Sequence, residues 1–326
     1  MKNNEIDNTI IYLSKNLFYN IFMELDSWSL INITGIDRKE YLNNQFTIDM
    51  NVISKHQYKV GAHCNINGKV WTSFFIFKYY DCYLYIIRSS VYKKHIYELK
   101  KYSLFSKIDI SKEINFVIFG LLGPDSLLII ERFFLKKFNK NQSLIISKKT
   151  IILKINKPIN RFLIIIHKSE LFSFLKFIKQ HAIYRDSKQW LGLDIESYFP
   201  IIDNEISGRF ILQSLGLKEW NAIDFNKGCY YGQEILCKYE NKKINQFIVC
   251  SLIGENCLYN LKISENIDYF DNQTGNVYHV GIILAWVPIF DKKILLQIRM
   301  KKRFFKYKNI FFLSSDPDIK FRIFEC

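Results

Sequence analysis

Glycine is scarce in this chain. Only 13 of 326 residues are Gly, about 4% where about 7% is usual. Two of them fall inside one short run, Lys227-Gly228-Cys229-Tyr230-Tyr231-Gly232-Gln233-Glu234. They flank a single cysteine, where the backbone is being asked for positive φ or close approach. Two readings are open on local grounds. One is a tight turn ending in a small buried cysteine, and the other is a thiol kept for chemistry. Residues 231–240 hold helix formers and no proline, which predicts a helix starting just after the cysteine. The positive end of a helix dipole and the Lys227 cation would both lower a thiol pKa below its free value of about 8.5. Cys229 is therefore the candidate reactive thiol, for redox chemistry, thiol transfer or transient contact with an iron-sulfur cluster. One cysteine cannot hold a cluster alone, since four ligands are usual.

The other cysteines exclude two classes. Cys64, Cys82, Cys229, Cys237, Cys250, Cys257 and Cys326 make an odd number with no CxxC pair, and the six histidines have no metal-ligand spacing. That is neither a disulfide framework nor a zinc pattern, and it predicts free thiols in a reducing, cytoplasmic setting. Residues 1–22 are broken by Glu5, Asp7 and Lys15 and read as neither leader nor membrane span. The longest apolar runs, such as 114–122, are too short to cross a bilayer. The net charge of +15 fits a polyanion-binding surface. It equally fits mutational drift, because Ile, Lys, Asn, Phe and Tyr are abundant and lysines far outnumber arginines. Direct nucleic-acid binding stays open.

Pattern predicts the organisation. Residues 28–33 read as a strand and Asp37 as the cap of a helix to about 46. Residues 57–66 and 69–77 read as strands joined by a two-residue Asn67-Gly68 turn. Residues 82–88, 116–122 and the segments around 151 and 162 read as strands; 90–102, 124–134 and 169–181 read as helices. From 246 onward β-rich runs follow at 247–252, 275–284, 293–298 and 310–313, suiting a small barrel. The expectation is an α+β fold with largely antiparallel sheets over residues 1–245, with one subdomain inserted at about 47–112, and a C-terminal β-barrel over 246–326.

Lys227 to Glu234 resembles the signature of the YgfZ family of tRNA-modifying, folate-binding proteins, kin of the glycine-cleavage T-protein. Collinear blocks at 28–35, 45–49, 63–71, 98–107 and 189–203 resemble the same family, so the likeness covers roughly residues 25–240. Tyr231, Asn44 and Leu212 depart from its usual pattern. The resemblance implies a T-protein-like fold of two α+β regions around a central cavity, and a tetrahydrofolate species bound there against Trp28 and Trp190. It also implies a cytoplasmic role supporting iron-sulfur enzymes, including tRNA-modifying ones, and an influence on initiation of chromosome replication. An indole does offer a flat heterocycle a stacking face worth on the order of 1 kcal/mol beyond area burial, although a lone tryptophan is more often a core anchor. The rival reading is a folate-dependent aminomethyl- or methyltransferase using Asp49 or Asp194 as its carboxylate.

Overall fold

A computed structural model describes residues 11, 13–255, 261–290, 292–306 and 308–325. Cys257, Cys326 and half of the segment read as free of a leader lie outside the described residues. The strands form three sheets. The first is antiparallel, in the order Lys59–Cys64, Val70–Tyr79, Cys82–Arg88, Trp28–Thr34, Asp109–Lys112. All of it comes from the stretch between Ile21–Glu24 and Phe116–Leu122, which pair with each other in the second sheet. The second sheet runs Ile183–Tyr184, Ile21–Glu24, Phe116–Leu122, Arg161–His167, Thr150–Ile155, Leu144–Ile146. Its one parallel pair joins Ile21–Glu24 to Ile183–Tyr184.

The apolar runs in these strands are continuous because both faces are buried. In the first sheet Phe75, Phe77, Leu84 and Ile86 enter a central core. Their neighbours Phe74, Ile76, Tyr83 and Tyr85 enter an outer one, roofed by Tyr41 and Leu42 of helix Arg38–Gln45 and Ile96 and Leu99 of helix Tyr92–Lys100. The second sheet repeats the scheme. Leu153, Leu163 and Ile165 face the central core, while Ile152, Phe162 and Ile164 pack under Ile129, Ile130 and Phe174 from helices Ser126–Phe134 and Leu171–Ile178. The two sheets thus share one core, which also takes Trp190, Leu193 and Ile195 of helix Lys188–Glu196.

The remaining strands close into a six-stranded barrel, Phe247–Gly254, Lys293–Lys301, Asn276–Ile289, Asn266–Asp271, Phe311–Leu313, Asp316–Ile323. Buried Gln297 ties it to the body by donating to the Phe199 carbonyl at 2.7 Å and accepting from the Ile201 N–H at 2.8 Å. The expected α+β fold with a C-terminal barrel is what the chain adopts. Two details differ. The hairpin turn spans residues 65–69 rather than two, because the Asn65 carboxamide accepts from the N–H groups of Asn67 and Lys69. Asp37 makes no side-chain cap to its helix; its carboxylate accepts from the Lys107 N–H at 2.7 Å instead.

The outer core of the first sheet holds two histidines. His63 Nδ1 lies 3.1 Å from His95 Nδ1, and His95 Nε2 lies 2.8 Å from the Tyr85 hydroxyl. Burial pushes His63 down to about 3 and His95 well below its ordinary value, so both rings are neutral and one must donate to the other. The unfolded chain therefore binds more protons than the folded one from about pH 6.5 down to about 3. Stability is held above this window and lost as pH falls through it, by up to about 1.4 kcal/mol per pH unit for each ring. Urea midpoints of the wild type and His63→Phe/His95→Phe, measured from pH 7 downward, should diverge, with the variant falling less steeply.

Candidate functional site

Residues of the signature loop are held in place by one cation. The Lys227 ammonium donates to the carbonyls of Asn43 at 2.6 Å, Phe46 at 2.7 Å and Ile48 at 2.8 Å. These lie at and just beyond the end of helix Arg38–Gln45, where carbonyls lack intrahelical partners and a cation is favoured. An ammonium has three N–H bonds, and the three carbonyls use them all. Burial lowers the Lys227 pKa to about 8, against the opposing pull of Asp49 and Asp224. Further bonds run along the same seam. The Tyr231 N–H donates to Asn44 O at 3.0 Å, the Asp49 N–H to Asp224 Oδ2 at 2.7 Å, and the Thr47 hydroxyl to Ala222 O at 2.6 Å.

Helix Gln233–Asn241 begins two residues later than the sequence pattern predicts, with Gly232 as its N-cap in the left-handed region at φ 86°. A Cβ on Gly232 would sit 2.4 Å from the Asn65 carbonyl, so this glycine lets the loop close on the hairpin turn. Tyr230 is buried, with its ring 4.7 Å under the Lys227 ammonium. Gln233 accepts from the Tyr230 N–H at 3.3 Å and donates its own N–H to Tyr230 O at 3.1 Å. Tyr231 Oη meets Tyr102 Oη at 2.5 Å. Gly228, Cys229 and Glu234 are exposed. Cys229 is thus not the small buried cysteine that one reading allowed. Its thiol stands open beside a lysine whose hydrogen bonds go to backbone, three residues ahead of the helix cap.

The two tryptophans share the central core, and each carries the same companions. The Arg88 guanidinium lies 5.3 Å from the Trp28 ring centre and pairs with Asp203 through Nε–Oδ1 and Nη2–Oδ2 bonds of 3.1 Å; Ser90 also donates to this carboxylate. The Arg161 guanidinium lies 4.4 Å from the Trp190 ring centre and pairs with Asp194 through a 2.7 Å bond. Exposure separates the two sets. Trp28 keeps 7% and the Arg88 and Asp203 side chains 13% each, whereas Trp190, Arg161 and Asp194 keep 1%, 0% and 1%. Trp190 also packs on Gly120, where a Cβ would fall 2.5 Å from the indole. Burial raises the Asp194 pKa, with Arg161 opposing. Arg161 Nη1 and Asp194 Oδ2 are buried with no hydrogen-bond partner among the described residues.

No hydrogen bond, ion pair or ring contact links Cys229 to either indole among the described residues. Asp49 accepts from the Asn51 N–H at 2.8 Å and caps a short turn. Arg88, Arg161 and Asp203 were not singled out by sequence reasoning, since nothing local marks an arginine that meets its partner from 115 positions away. Among the described residues no group of three His, Cys, Asp or Glu is placed to hold a metal, and no helix is long and apolar enough to cross a membrane.

Two antiparallel-rich sheets on a shared core, with a barrel docked through Gln297, form the aminomethyltransferase T fold. The glycine cleavage system aminomethyltransferase T from Bartonella henselae superposes with a TM-score of 0.74 over 98% of this chain and 86% of that one, at 13% identity. No family model matches the chain. Its sequence is 38% identical over 313 residues to the tRNA-modifying protein YgfZ of Buchnera aphidicola subsp. Schizaphis graminum, covering 94% of this chain and 97% of that protein. It is 30% identical over 302 residues to the YgfZ of Escherichia fergusonii, covering 92% and 88%. The chain belongs to the YgfZ family of tRNA-modifying proteins.

Gly232→Ala should cost about 2–4 kcal/mol, because the new Cβ meets backbone as well as positive φ. Gly275→Ala, at φ 69° with nothing within 4 Å, should cost about 1 kcal/mol. Chemical denaturation of both variants checks the contrast. Iodoacetamide at neutral pH should label Cys229 before Cys82, whose pKa burial raises to about 11, and well before buried Cys64 and Cys250. Peptide mapping over time gives the order.

Proposed function

We propose that this protein is a cytoplasmic, folate-binding accessory factor that supports tRNA modification and iron-sulfur enzymes, with an influence on initiation of chromosome replication. The observation that carries this reading is the pair of indole–guanidinium–carboxylate groups on one core. A tetrahydrofolate bound there supplies a flat heterocycle and a one-carbon carrier. Trp28 offers its accessible surface to such a ring, and Arg88 with Asp203 sets donors and acceptors beside it. Trp190 belongs to the same core, with Arg161 over its ring and Asp194 paired to that arginine. The residues fit a group of this kind because Arg161 Nη1 and Asp194 Oδ2 are a buried donor and acceptor still without partners among the described residues, and such atoms cost about 1–3 kcal/mol each while unmet. A ligand ring reaches Trp190 itself only when one of its neighbours moves. The division near residue 245 gives the folate-binding region as 1–245 and the barrel as 246–326.

Cys229 is the reactive thiol of this reading, presented on the exposed signature loop to a client protein. Contact with an iron-sulfur cluster needs ligands from that partner, since one thiolate leaves the usual set of four incomplete. The T-protein fold favours a second reading, aminomethyl transfer to folate. Against it, Asp49 Oδ1 is engaged in capping a turn, and Asp194, 1% exposed and paired with Arg161, is reached only by the same movement of its neighbours.

Calorimetric titration with tetrahydrofolate should show binding that Trp28→Phe and Arg88→Gln each weaken about tenfold, or about 1.4 kcal/mol. Unchanged affinity in both variants would remove this site. Methylene-tetrahydrofolate formed from an aminomethylated carrier would replace the accessory reading with the transferase one.

A further inference from the structure

A cleft of about 600 Å³ is lined by Lys55, Lys78, Lys136, Lys137, His56, Tyr80 and Asp81 over a floor that includes Ile145 and Ile146. We infer that it binds a single-stranded stretch of RNA, with phosphates on the four lysines and one base against Tyr80. Four ammonium groups face one carboxylate there. Among the described residues none of the four is in an ion pair with a carboxylate, and the Lys136 ammonium donates to the Ile146 carbonyl at 3.3 Å, at the cleft floor. Compositional drift adds lysines over the whole surface; here four of them line one hollow that holds a single carboxylate.

The walls come from both sheets and are pinned to each other. The His56 carbonyl accepts from the N–H groups of Ser143 at 3.1 Å and Leu144 at 3.0 Å. Gln57 donates to Asn141 O at 3.2 Å and the Tyr79 hydroxyl to Lys148 O at 2.8 Å. The hollow therefore exists before any ligand arrives, which lowers the ordering cost of binding. Two strained residues flank it. Tyr80, at φ 47°, turns the hairpin between Val70–Tyr79 and Cys82–Arg88 and is 53% exposed. Leu135, at φ 51°, ends helix Ser126–Phe134 and leads directly into Lys136 and Lys137. Left-handed backbone at a tyrosine and a leucine costs energy that glycine would spare, and such strain gathers at binding sites.

Phosphates alone would need only the cations. The exposed ring and apolar floor add a surface for a base, the combination by which single strands are held. A duplex keeps its bases stacked inside and could not use Tyr80. The choice of RNA over other phosphate-bearing ligands rests on the proposed role in tRNA modification.

Fluorescence anisotropy of the full chain with labelled tRNA and with a single-stranded hexaribonucleotide, over a salt series, tests the inference. Lys55→Gln/Lys136→Gln/Lys137→Gln should weaken both about tenfold and flatten the log–log salt slope by about 2, near 0.7 per lysine. Tyr80→Ala should weaken binding and leave the slope unchanged, which loss of charge alone does not do. Lys302→Gln/Lys306→Gln/Lys320→Gln removes the same charge from exposed barrel positions and should change neither quantity. Equal loss in the two triple variants, or inorganic triphosphate binding as tightly as RNA, overturns the inference. Thermal melts confirm that all variants fold. Tetrahydrofolate titration of the wild type separates the two proposals: folate bound without RNA removes the cleft assignment alone, and RNA bound without folate removes the folate reading alone.

Discussion

One ammonium group joins the signature loop to the rest of the molecule. Lys227 sits 184, 181 and 179 positions from the carbonyls it binds, so its side chain, with the Tyr231, Asp49 and Thr47 bonds of the same seam, closes the long excursion between the first sheet and the second half of the chain. The energetics favour a lysine. Three free carbonyls near a helix end attract positive charge, and leaving them unmet in a half-buried seam would be costly. A flexible stem with three donors meets three diverging carbonyls, which the planar fork of arginine does not. With that anchor made, Gly232 can close on Asn65, Tyr230 can bury its ring and Cys229 is left outside.

The same economy of long-range polar ties runs through the body. Arg88 with Asp203 and Arg161 with Asp194 bind the segment after Ile183–Tyr184 to a different sheet in each case, each over an indole. Gln297 holds the barrel to residues 199–201. Apolar packing supplies the mass of the core, but it is non-directional. The ion pairs and the paired amide bonds decide which surfaces meet, and they leave the Trp28 set partly open while the Trp190 set is sealed.

Much of this was legible in the residues. Runs such as Cys82–Arg88 and Phe116–Leu122 read as strands because both faces are buried and the apolar residues run on without a break. Strand Asn266–Asp271 went unread because only Ile267 is buried and its half-buried residues follow no period of two, whereas in Asp316–Ile323 the alternation of Ile319, Phe321 and Ile323 with Lys320 and Arg322 was there and went unread. Ile183–Tyr184 is too short to carry a pattern at all. The Lys227-to-Glu234 run marked the right loop, since positive φ at Gly232 is a local demand. What lysine and arginine do inside the fold was not legible, because their partners come from distant parts of the chain. Cys229 was expected to draw on Lys227 and a helix end; the fold commits the first to carbonyls and starts the helix further on.

Hydrogen–deuterium exchange of Lys227→Met against wild type tests the anchoring role most directly. If the ammonium is what fastens the loop, amides of residues 43–50 and 222–234 should lose protection together while those of the barrel strands Phe247–Gly254 and Lys293–Lys301 keep theirs. Unchanged protection across both seam segments would mean that the loop is held by something else.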